Sequence, residues 1–445
     1  MDLLLLSRIQ FGLTASFHYI YPPMTIGLGL LLVIMEGLYL RTKDPLYERI
    51  TRFWVKIFGL TFAIGVATGI VLEFEFGTNW ATYSRYVGDI FGSALAAEGI
   101  FAFFLESGFL AILLFGWNKV SPRMHFFSTV MVCLGAHFSA IWIVVANSWQ
   151  QTPAGYHIVS EGLTPRAEIT DFWSMVLNPS TFDRLSHTIM GAWQAGAFLA
   201  ISVSAYYLLK ARYTEFSHRT IKIALSLALV ASVGQLITGH SSAKTVSQYQ
   251  PAKLAAIEGH YESGPADLYI FGWVDEESGN VSGIRLPGML SRLLTGNPEA
   301  PVRGLNSFQE EDRPPVNATF QFYHLMVVIG MGLIGLSMLG MFFLMRDTLV
   351  HQRWLLWLLV FAVLGPQIAN QMGWFTAEVG RQPWIVYGLL RTSDGLSQSV
   401  QSGMVLTSLI LFTAVYLLLF AVFIFQLNHK IKQGPQLLES ESVDK

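Results

Sequence analysis

Charged residues are scarce in this sequence. Asp, Glu, Lys and Arg make up 13% of its 445 residues, against 52% hydrophobic residues, and the net charge is −2. A chain this apolar does not have the composition of an ordinary soluble domain. Because it has neither a basic tract nor a positive net charge, the sequence also argues against nucleic acid as a partner.

Cysteine is scarcer still, since Cys133 is the only one and lies inside an apolar run. A single thiol cannot form a disulfide within the chain, a Cys-x-x-Cys-His haem attachment or an iron–sulfur cluster. We therefore interpret Cys133 as a buried apolar residue.

What the sequence does contain is nine apolar stretches, each near the ~20 residues that a membrane helix needs. They predict an all-α, polytopic membrane protein with helices in up-and-down bundles. The predicted spans are 16–40, 53–76, 93–116, 125–148, 185–209, 219–239, 321–345, 353–373 and 403–427. Before them, the spacing of Leu3, Leu6 and Ile9 predicts a short helix on the membrane interface, and we expect no cleaved signal.

Positive charge is unevenly distributed between the loops. Most Lys and Arg residues lie in four short loops and the C-terminal tail, so the positive-inside rule places the C-terminus in the cytoplasm and the N-terminus outside. Two long outer segments are then 149–184 and 240–320. The second has about 80 residues, beyond the usual length of a connection, and is predicted to be functional or disordered. It separates helices 1–6 (1–239) from helices 7–9 and the tail (321–445).

Several possible iron ligands lie toward the same membrane face. His18, His187 and Met326 lie early in odd-numbered spans, and Glu378 follows the end of an even one, so all four are predicted near the outer face. His, Met and carboxylate groups can serve as axial ligands of haem, and His187 and Met326 could meet across one iron. The alternatives remain open, because a membrane His is as often a helix–helix hydrogen-bonding residue and most Met residues only pack.

Carboxyl groups also lie within the apolar stretches. Glu98 and Glu106 are eight residues apart, which in an α-helix gives ~12 Å in height and ~80° in azimuth, so both can face one interior seam. Each costs ~3 kcal/mol in a membrane, which favours a functional role such as a proton relay. Glu73 and Glu75 add two more near the outer end of the preceding span. The other interpretation is a neutral glutamic acid that is hydrogen-bonded between helices.

The end of the eighth span, 366–384, combines helix-terminating and anchoring residues. Pro383 stops a helix, Trp374 and Trp384 suit the membrane interface, and Arg381 could bind a haem propionate or another carboxylate. This segment, with its Gly-Arg-Gln-Pro-Trp motif at 380–384, resembles subunit I of the cytochrome bd quinol oxidases. The Glu98…Glu106 pair and Lys-Leu-Ala-Ala-Ile-Glu at 253–258 extend the resemblance over all nine spans and the outer loop.

The resemblance implies a quinol:oxygen oxidoreductase of the bacterial cytoplasmic membrane. It would oxidise quinol at the outer face, reduce O₂ to water with cytoplasmic protons, and generate a membrane potential without pumping. The implied cofactors are a low-spin haem b, a high-spin haem b and a haem d, or a b-type haem in its place. The implied partners are a second large membrane subunit, with or without a small single-helix subunit, together with quinol, O₂ and lipid.

The resemblance also implies a role for each candidate residue. His187 and Met326 would be axial ligands of the low-spin haem b, whereas His18 and Glu378 would serve the two other haems. The remaining assignments are a proton path (Glu98, Glu106 and Glu73), a quinol site (Lys253 and Glu258), and propionate binding or support of the site (Arg381, Trp374 and Arg391).

This chain departs from the family pattern in two places. His324 stands where many members have Arg, which adds a rival nitrogen ligand two residues before Met326. The outer loop is also of the shorter kind. Two other functions compete with the oxidase. One is a proton-coupled transporter without haem, and the other is a cytochrome b or haem–copper oxidase, which would need repeated His pairs on facing helices.

Overall fold

Helices dominate the computed structural model, which describes residues 2–160 and 165–436. The longer helices are α1 (Leu3–His18), α2 (Tyr21–Thr42), α3 (Pro45–Thr78), α5 (Gly88–Glu98), α6 (Phe104–Phe115), α7 (Pro122–Gln151), α9 (Thr181–Leu209), α10 (Thr214–Tyr249), α13 (Val316–Met345), α14 (Arg353–Phe361), α15 (Leu364–Val379) and α16 (Ser402–Gln433). The short ones are α4 (Ala81–Tyr86), α8 (Phe172–Val176), α11 (Pro251–Glu258) and α12 (Met289–Thr295).

Nine helical segments in the described part of the chain are long and apolar enough to cross a membrane. They confirm the predicted number of spans and the all-α membrane class. The segments are Leu3–Thr42, Pro45–Thr78, Gly88–Phe115, Pro122–Gln151, Thr181–Leu209, Thr214–Tyr249, Glu310–Met345, Arg353–Val379 and Ser402–Gln433. Each is longer than its predicted span, because a helix continues beyond the apolar residues that define it in the sequence.

The helices pack around α9, whose apolar part is the most deeply buried of the nine spans. It packs on α2 and α10, and the main core lies between these helices and α3, with Leu28, Phe58 and Phe198 fully buried. By contrast, little of α16 is buried. We call the ends of the helices near His18 and His187 the site end, and the ends near the Lys- and Arg-rich short loops the basic end.

The first helix differs from the predicted short interfacial helix. It extends to His18, and one of its faces, formed by Leu6, Ser7, Gln10 and Thr14, is buried. The neighbours of this face are α3 and α16, since Gln10 accepts hydrogen bonds from Asn79, directly after α3, and from Ser408 on α16. The helix is therefore packed into the bundle on one side.

The long segment between α10 and α13 folds into short elements at the site end. It contains α11, α12 and the strands β3 (Gly264–Pro265), β4 (Leu268–Asp275), β5 (Asn280–Leu286) and β6 (Pro301–Val302). All pairings are antiparallel, β3 with β6 and β4 with β5. Because α10 continues to Tyr249 and α13 begins at Val316, this segment is shorter than the predicted 240–320. The end of the predicted tail, 437–445, lies outside the described residues.

Two further hairpins complete the site end. Strands β1 (Tyr156–Val159) and β2 (Arg166–Ile169) pair within the predicted outer segment 149–184. Strands β7 (Trp384–Val386) and β8 (Leu390–Arg391) pair directly after the Gly-Arg-Gln-Pro motif. Both hairpins contact the end of α7. In the β1–β2 hairpin Tyr156 packs on Trp149, and in the β7–β8 hairpin the Tyr387 N–H donates to the Gln150 carbonyl.

Candidate functional site

A large cavity of about 2150 Å³ runs between the helices at the site end. Pockets for one small ligand typically measure roughly 300–1,000 Å³, so this cavity has room for more than one prosthetic group. Its lining contains nearly all of the residues predicted from the sequence: His18, Glu73, Glu98, Glu106, His187, Lys253, Glu258, Met326, Trp374, Glu378 and Arg381.

His187 and Met326 line the cavity from different helices. His187 is near the start of α9, and its Nδ1 lies 3.0 Å from the Thr238 hydroxyl of α10. This contact fixes the ring and leaves Nε2 for another partner, as in metal-binding histidines. Met326 belongs to α13 and packs on α15 at Gly373. A Cβ atom added to Gly373 would lie only 2.8 Å from the Met326 sulfur, so this approach needs glycine. The arrangement therefore provides one nitrogen and one sulfur donor in the same cavity.

His18 repeats this arrangement at the junction of α1 and α2. Its Nδ1 lies 3.0 Å from the Thr68 hydroxyl of α3, which again fixes the ring through one nitrogen. On the same helix, Glu73 lines the cavity, whereas Glu75 points away from it and accepts a 2.6 Å hydrogen bond from Thr14. The two neighbouring glutamates thus have different surroundings, and only Glu73 remains a candidate for the site.

Positive charge exceeds negative charge in one buried part of the cavity wall. Glu378 accepts a 2.5 Å bond from Arg381 Nη2 and a 3.0 Å bond from Asn147 Nδ2. Arg184 donates to the Asn147 amide oxygen, and Lys253 Nζ lies 2.5 Å from Gln151 Oε1. Three cationic side chains therefore surround one carboxylate.

This charge imbalance fits an anionic group such as the propionates of haem. Arg381 is almost fully buried, and its Nη1 atom makes no hydrogen bond within the described part of the chain. A buried guanidinium nitrogen without a partner is costly, so a carboxylate from a bound group would satisfy it. Arg184 was not among the residues predicted for the site, although it lies three residues before His187 and hence on the same side of α9.

Arg391 has a different environment from the one predicted for a propionate ligand. It does not line the cavity but pairs with Asp312 at 2.6 Å and lies over the Trp384 ring at 4.7 Å. These contacts join the long segment before α13 to the β7–β8 hairpin. They favour the other predicted role, support of the site. Trp374 does line the cavity and packs on Phe375.

The rival ligand His324 is held by backbone groups. Its Nδ1 lies 2.8 Å from the Phe320 carbonyl and its Nε2 lies 3.0 Å from the Tyr269 carbonyl. Both ring nitrogens thus lie against backbone carbonyls, of which a neutral ring can donate to only one. His324 and Met326 both line the cavity. The contact with Tyr269 also gives His324 a structural function, because it joins α13 to strand β4.

Lys253 and Glu258 line the same cavity although they are about 140° apart on a regular helix. Both side chains of α11 are buried, so one short helix directs both inward. Burial holds the pKa of Lys253 well below its usual value, and the nearby Arg184 and Arg381 guanidinium groups lower it further. Burial also raises the pKa of Glu258 to about 8.

Glu98 and Glu106 both face α7. Ser139 donates a 2.5 Å hydrogen bond to Glu98, and Gly135, one turn away, lies against Glu106. A Cβ at Gly135 would lie 2.9 Å from the Glu106 Cβ, so only glycine allows this approach. A π-helical turn, Gly99–Phe103, separates the two glutamates. The two carboxyl groups thus follow one seam, with Glu106 nearer the basic end.

A further buried pair, which was not predicted from the sequence, lies at the basic end. His125 Nδ1 is 2.7 Å from Glu36 Oε1, and Thr129 donates a 2.5 Å bond to the other carboxylate oxygen. Trp117 covers the His125 ring at 3.9 Å, and Arg52 lies 4.5 Å from the centre of the Trp117 ring. Both members of the pair are 1% exposed.

Comparisons with known proteins show the family of this chain. Residues 6–435 match the family model for cytochrome bd terminal oxidase subunit I. The chain belongs to this family. Over 98% of its length it is 37% identical to the cytochrome bd ubiquinol oxidase subunit 1 of Bacillus subtilis (strain 168), and the match covers 95% of that protein. The cytochrome bd-II ubiquinol oxidase subunit 1 of Escherichia coli (strain K12) is 33% identical, with 99% of this chain and 98% of that protein covered.

The fold agrees as well. The bd oxidase structure from Geobacillus thermodenitrificans matches with a TM-score of 0.91 and 30% identity, covering 98% of this chain and 99% of that one. The family and the nine spans confirm the predicted quinol oxidase class and the multi-pass membrane location. A bd oxidase subunit I binds haem and works with a partner subunit. Membership of this family therefore excludes the two alternative functions, a transporter without haem and a cytochrome b or haem–copper oxidase.

Proposed function

We propose that this subunit carries all the redox groups of the oxidase in one cavity, oxidises quinol at the outer face and takes the protons for O₂ reduction from the cytoplasm. The observation that carries the proposal is the continuity of the cavity. It extends from Glu258 beside the long outer segment, past the His and Met donors and the cationic cluster, to Glu106 in the bundle.

The cavity residues divide into donors and charge partners. His187 and Met326 would hold the low-spin haem b, while His18 and Glu378 would serve a high-spin haem b and a haem d, or its b-type substitute. Arg381 and Arg184 would bind propionates, for which the unsatisfied Nη1 of Arg381 is the main support. When bound, haem supplies one-electron redox chemistry and, at an open position, O₂ binding.

The quinol site would lie against Lys253 and Glu258. A quinol that is oxidised to a quinone loses two electrons and two protons, so the site needs a proton acceptor. Glu258 is the better candidate, because its Oε2 is buried without a hydrogen-bond partner in the described residues. Lys253 already donates to Gln151. One B. subtilis relative is named a ubiquinol oxidase and another a putative menaquinol oxidase. The proposed substrate is therefore a quinol, without a choice between the two kinds.

Protons would reach the site from the basic end. The Lys- and Arg-rich short loops place that end in the cytoplasm of the cell. Glu106 would receive each proton first and pass it to Glu98, through the seam along Gly135 and Ser139 of α7. Because quinol releases its protons outside while O₂ reduction draws others from inside, charge would cross the membrane without a pump.

Vesicles that contain the purified two-subunit enzyme test this proposal. With quinol and O₂, a pH-sensitive dye inside right-side-out vesicles should show alkalinisation in step with oxygen uptake. Glu106→Leu should stop both, since Leu suits an apolar helix but carries no proton. Glu75→Leu is the matched control, because Glu75 points away from the cavity. Oxygen uptake without internal alkalinisation in the wild type would contradict the proposed direction of proton uptake.

A further inference from the structure

We propose that the β4–β5 hairpin is a lipid-docking surface, whose outward face inserts into the headgroup region of the outer leaflet beside α13. Part of this inference, the entry of quinol, rests on the proposed function. The insertion itself does not, because it follows from the shape, the attachment and the exposed side chains of the hairpin.

The two faces of the hairpin differ in burial. Cross-strand pairing places Val274 opposite Val281 and Gly272 opposite Gly283 on the inner face. There Val274 packs into a small core with Phe320. The outer face carries Phe271 opposite Ile284, and Trp273 opposite Ser282.

Three large apolar side chains of the outer face are more than half exposed: Phe271 at 55%, Trp273 at 63% and Ile284 at 52%. Exposed apolar side chains that adjoin one another on a strand pair mark a binding surface rather than a solvated one. The charged residues Asp275, Glu276 and Glu277 gather instead at the turn. The hairpin is therefore apolar along its outer face and acidic at its tip.

Hydrogen bonds fix the hairpin to the first turns of α13. Gln321 Nε2 donates to the Gly272 carbonyl at 2.8 Å, and Asn317 accepts from the Val274 N–H at 3.2 Å. One turn further along, His324 contacts the Tyr269 carbonyl. The hairpin thus lies at the height of residues 317–324 of α13.

The lower part of this height corresponds to the lipid headgroups: the contacts of Tyr269 and Gly272 lie within the headgroup layer, and that of Val274 lies just outside it. Helix α13 ends at Met345, next to Arg346 at the basic end. A hydrocarbon layer of ~30 Å takes about 20 helical residues, which places the outer boundary near residue 325. The headgroup layer adds roughly 5–7 Å, or about four residues. Leu325 and Val328 are exposed and lie on the same helical side as Gln321. The hairpin therefore continues the lipid-facing surface of α13.

Lipid is the occupant that best fits these observations. Trp and Phe at headgroup height are typical of the aromatic belt of membrane proteins. The same strand also reaches the cavity, which is lined by Leu268, Tyr269 and Ile270 of β4 and by Val327 and Met331 of α13. A quinol that moves laterally in the outer leaflet would then enter between β4 and α13, with the hairpin as one side of the entrance.

Depth measurement on the intact two-subunit enzyme tests the insertion. Ser282→Cys, labelled with an environment-sensitive fluorophore in a Cys133→Ala background, reports from the apolar face, and Ser278→Cys reports from the turn. In vesicles of phosphatidylcholine and phosphatidylglycerol, the label at 282 should be quenched by lipids brominated near the headgroup and shielded from aqueous iodide. The label at 278 should show the opposite pattern. Haem content confirms that each labelled protein is intact.

Two results would overturn the proposal. Equal iodide quenching at both positions would place the hairpin in water. Shielding from iodide without quenching by brominated lipid would assign the surface to a protein partner. Trp273→Tyr gives an independent check without a label, because it should reduce the fraction of tryptophan fluorescence that brominated lipid quenches.

Kinetics test the entrance. The double variant Phe271→Ser/Trp273→Ser should show a several-fold higher KM for a long-chain quinol in vesicles at unchanged kcat. With a short-chain, water-soluble quinol its KM should not change, and Glu277→Ser at the turn should behave like the wild type with both quinols. An unchanged KM for the long-chain quinol would remove the hairpin from the entrance. Because the depth measurement needs no turnover, it distinguishes this outcome from a failure of the quinol site at Glu258.

Discussion

Replacing Glu258 with glutamine removes a titratable group from the cavity wall while nearly keeping its shape. Burial raises the pKa of the Glu258 carboxyl from 4.5 to about 8. At pH 6 only about 1% of the side chain is then ionised, compared with about 90% at pH 9. If the ionised form accepts the proton of the quinol, kcat/KM should rise about tenfold per pH unit below pH 8 and level off above it.

The assay is steady-state oxygen uptake with quinol between pH 6 and pH 9.5. The wild type should gain roughly 90-fold in kcat/KM between pH 6 and pH 9, whereas Glu258→Gln should be slow throughout and lack this rise. Glu262→Gln is the matched control. It alters an exposed carboxylate of the same segment that is hydrogen-bonded to Asn306, so it should retain the wild-type profile.

The pH dependence of the stability of the fold provides a second measurement for Glu258→Gln. A carboxyl whose pKa is higher in the folded protein holds its proton more tightly there, so the stability of the fold falls as pH rises from about 4.5 to about 8. The full difference corresponds to about 5 kcal/mol. Because Glu258→Gln has no carboxyl to ionise, it does not lose stability as the pH rises. Its Tm should therefore exceed that of the wild type above pH 8 and approach the wild-type Tm near pH 5. If the wild type and Glu258→Gln had the same pH profiles of activity and of Tm, Glu258 would not be the proton acceptor with the raised pKa.

Three other replacements test the donors and the charged clusters. Met326→Leu should convert the low-spin signal in optical and magnetic circular dichroism spectra to a high-spin one, since Leu has no lone pair; an unchanged low-spin spectrum would point to another ligand. Arg381→Gln should lower the haem content of the purified enzyme, while Arg391→Gln should not, and equal losses would contradict the propionate role. Glu36→Gln should lower the stability of the fold by about 3 kcal/mol, because it leaves His125 buried without its carboxylate. A Tm equal to that of the wild type would show that the contact between Glu36 and His125 does not stabilise the fold.

The number of spans could be predicted because each membrane crossing needs its own apolar run. Their ends could not, since helices continue into the headgroup region and beyond it, where polar residues are tolerated. Helix α10, for example, extends ten residues past the predicted end of its span to Tyr249. The 240–320 loop was therefore predicted too long, and its strands lacked a clear signal because they are short and irregular.

That the candidate ligands lie at one end of the helices could likewise be predicted, and the structure places them in one cavity, but their hydrogen-bond partners could not be predicted. Glu378 and Asn147 are 231 residues apart in the sequence, and Glu36 and His125 are 89 apart. Nothing local in a sequence indicates which distant polar groups will meet. The excess of cations around Glu378 depends on such contacts between α7, α9, α11 and α15. It became visible only when the packing of these helices was known.

For Glu98 and Glu106, the geometry of a regular α-helix overestimates the angle between the two side chains. On an α-helix their separation of eight residues gives ~80° in azimuth. The π-helical turn at Gly99–Phe103 accommodates one extra residue, so the pair occupies about two turns and the difference falls to about 20°. Both carboxyl groups consequently face the same side of α7. A π turn weakens the regular helical hydrogen bonding, and its position between two buried glutamates favours a function in which both must face one path.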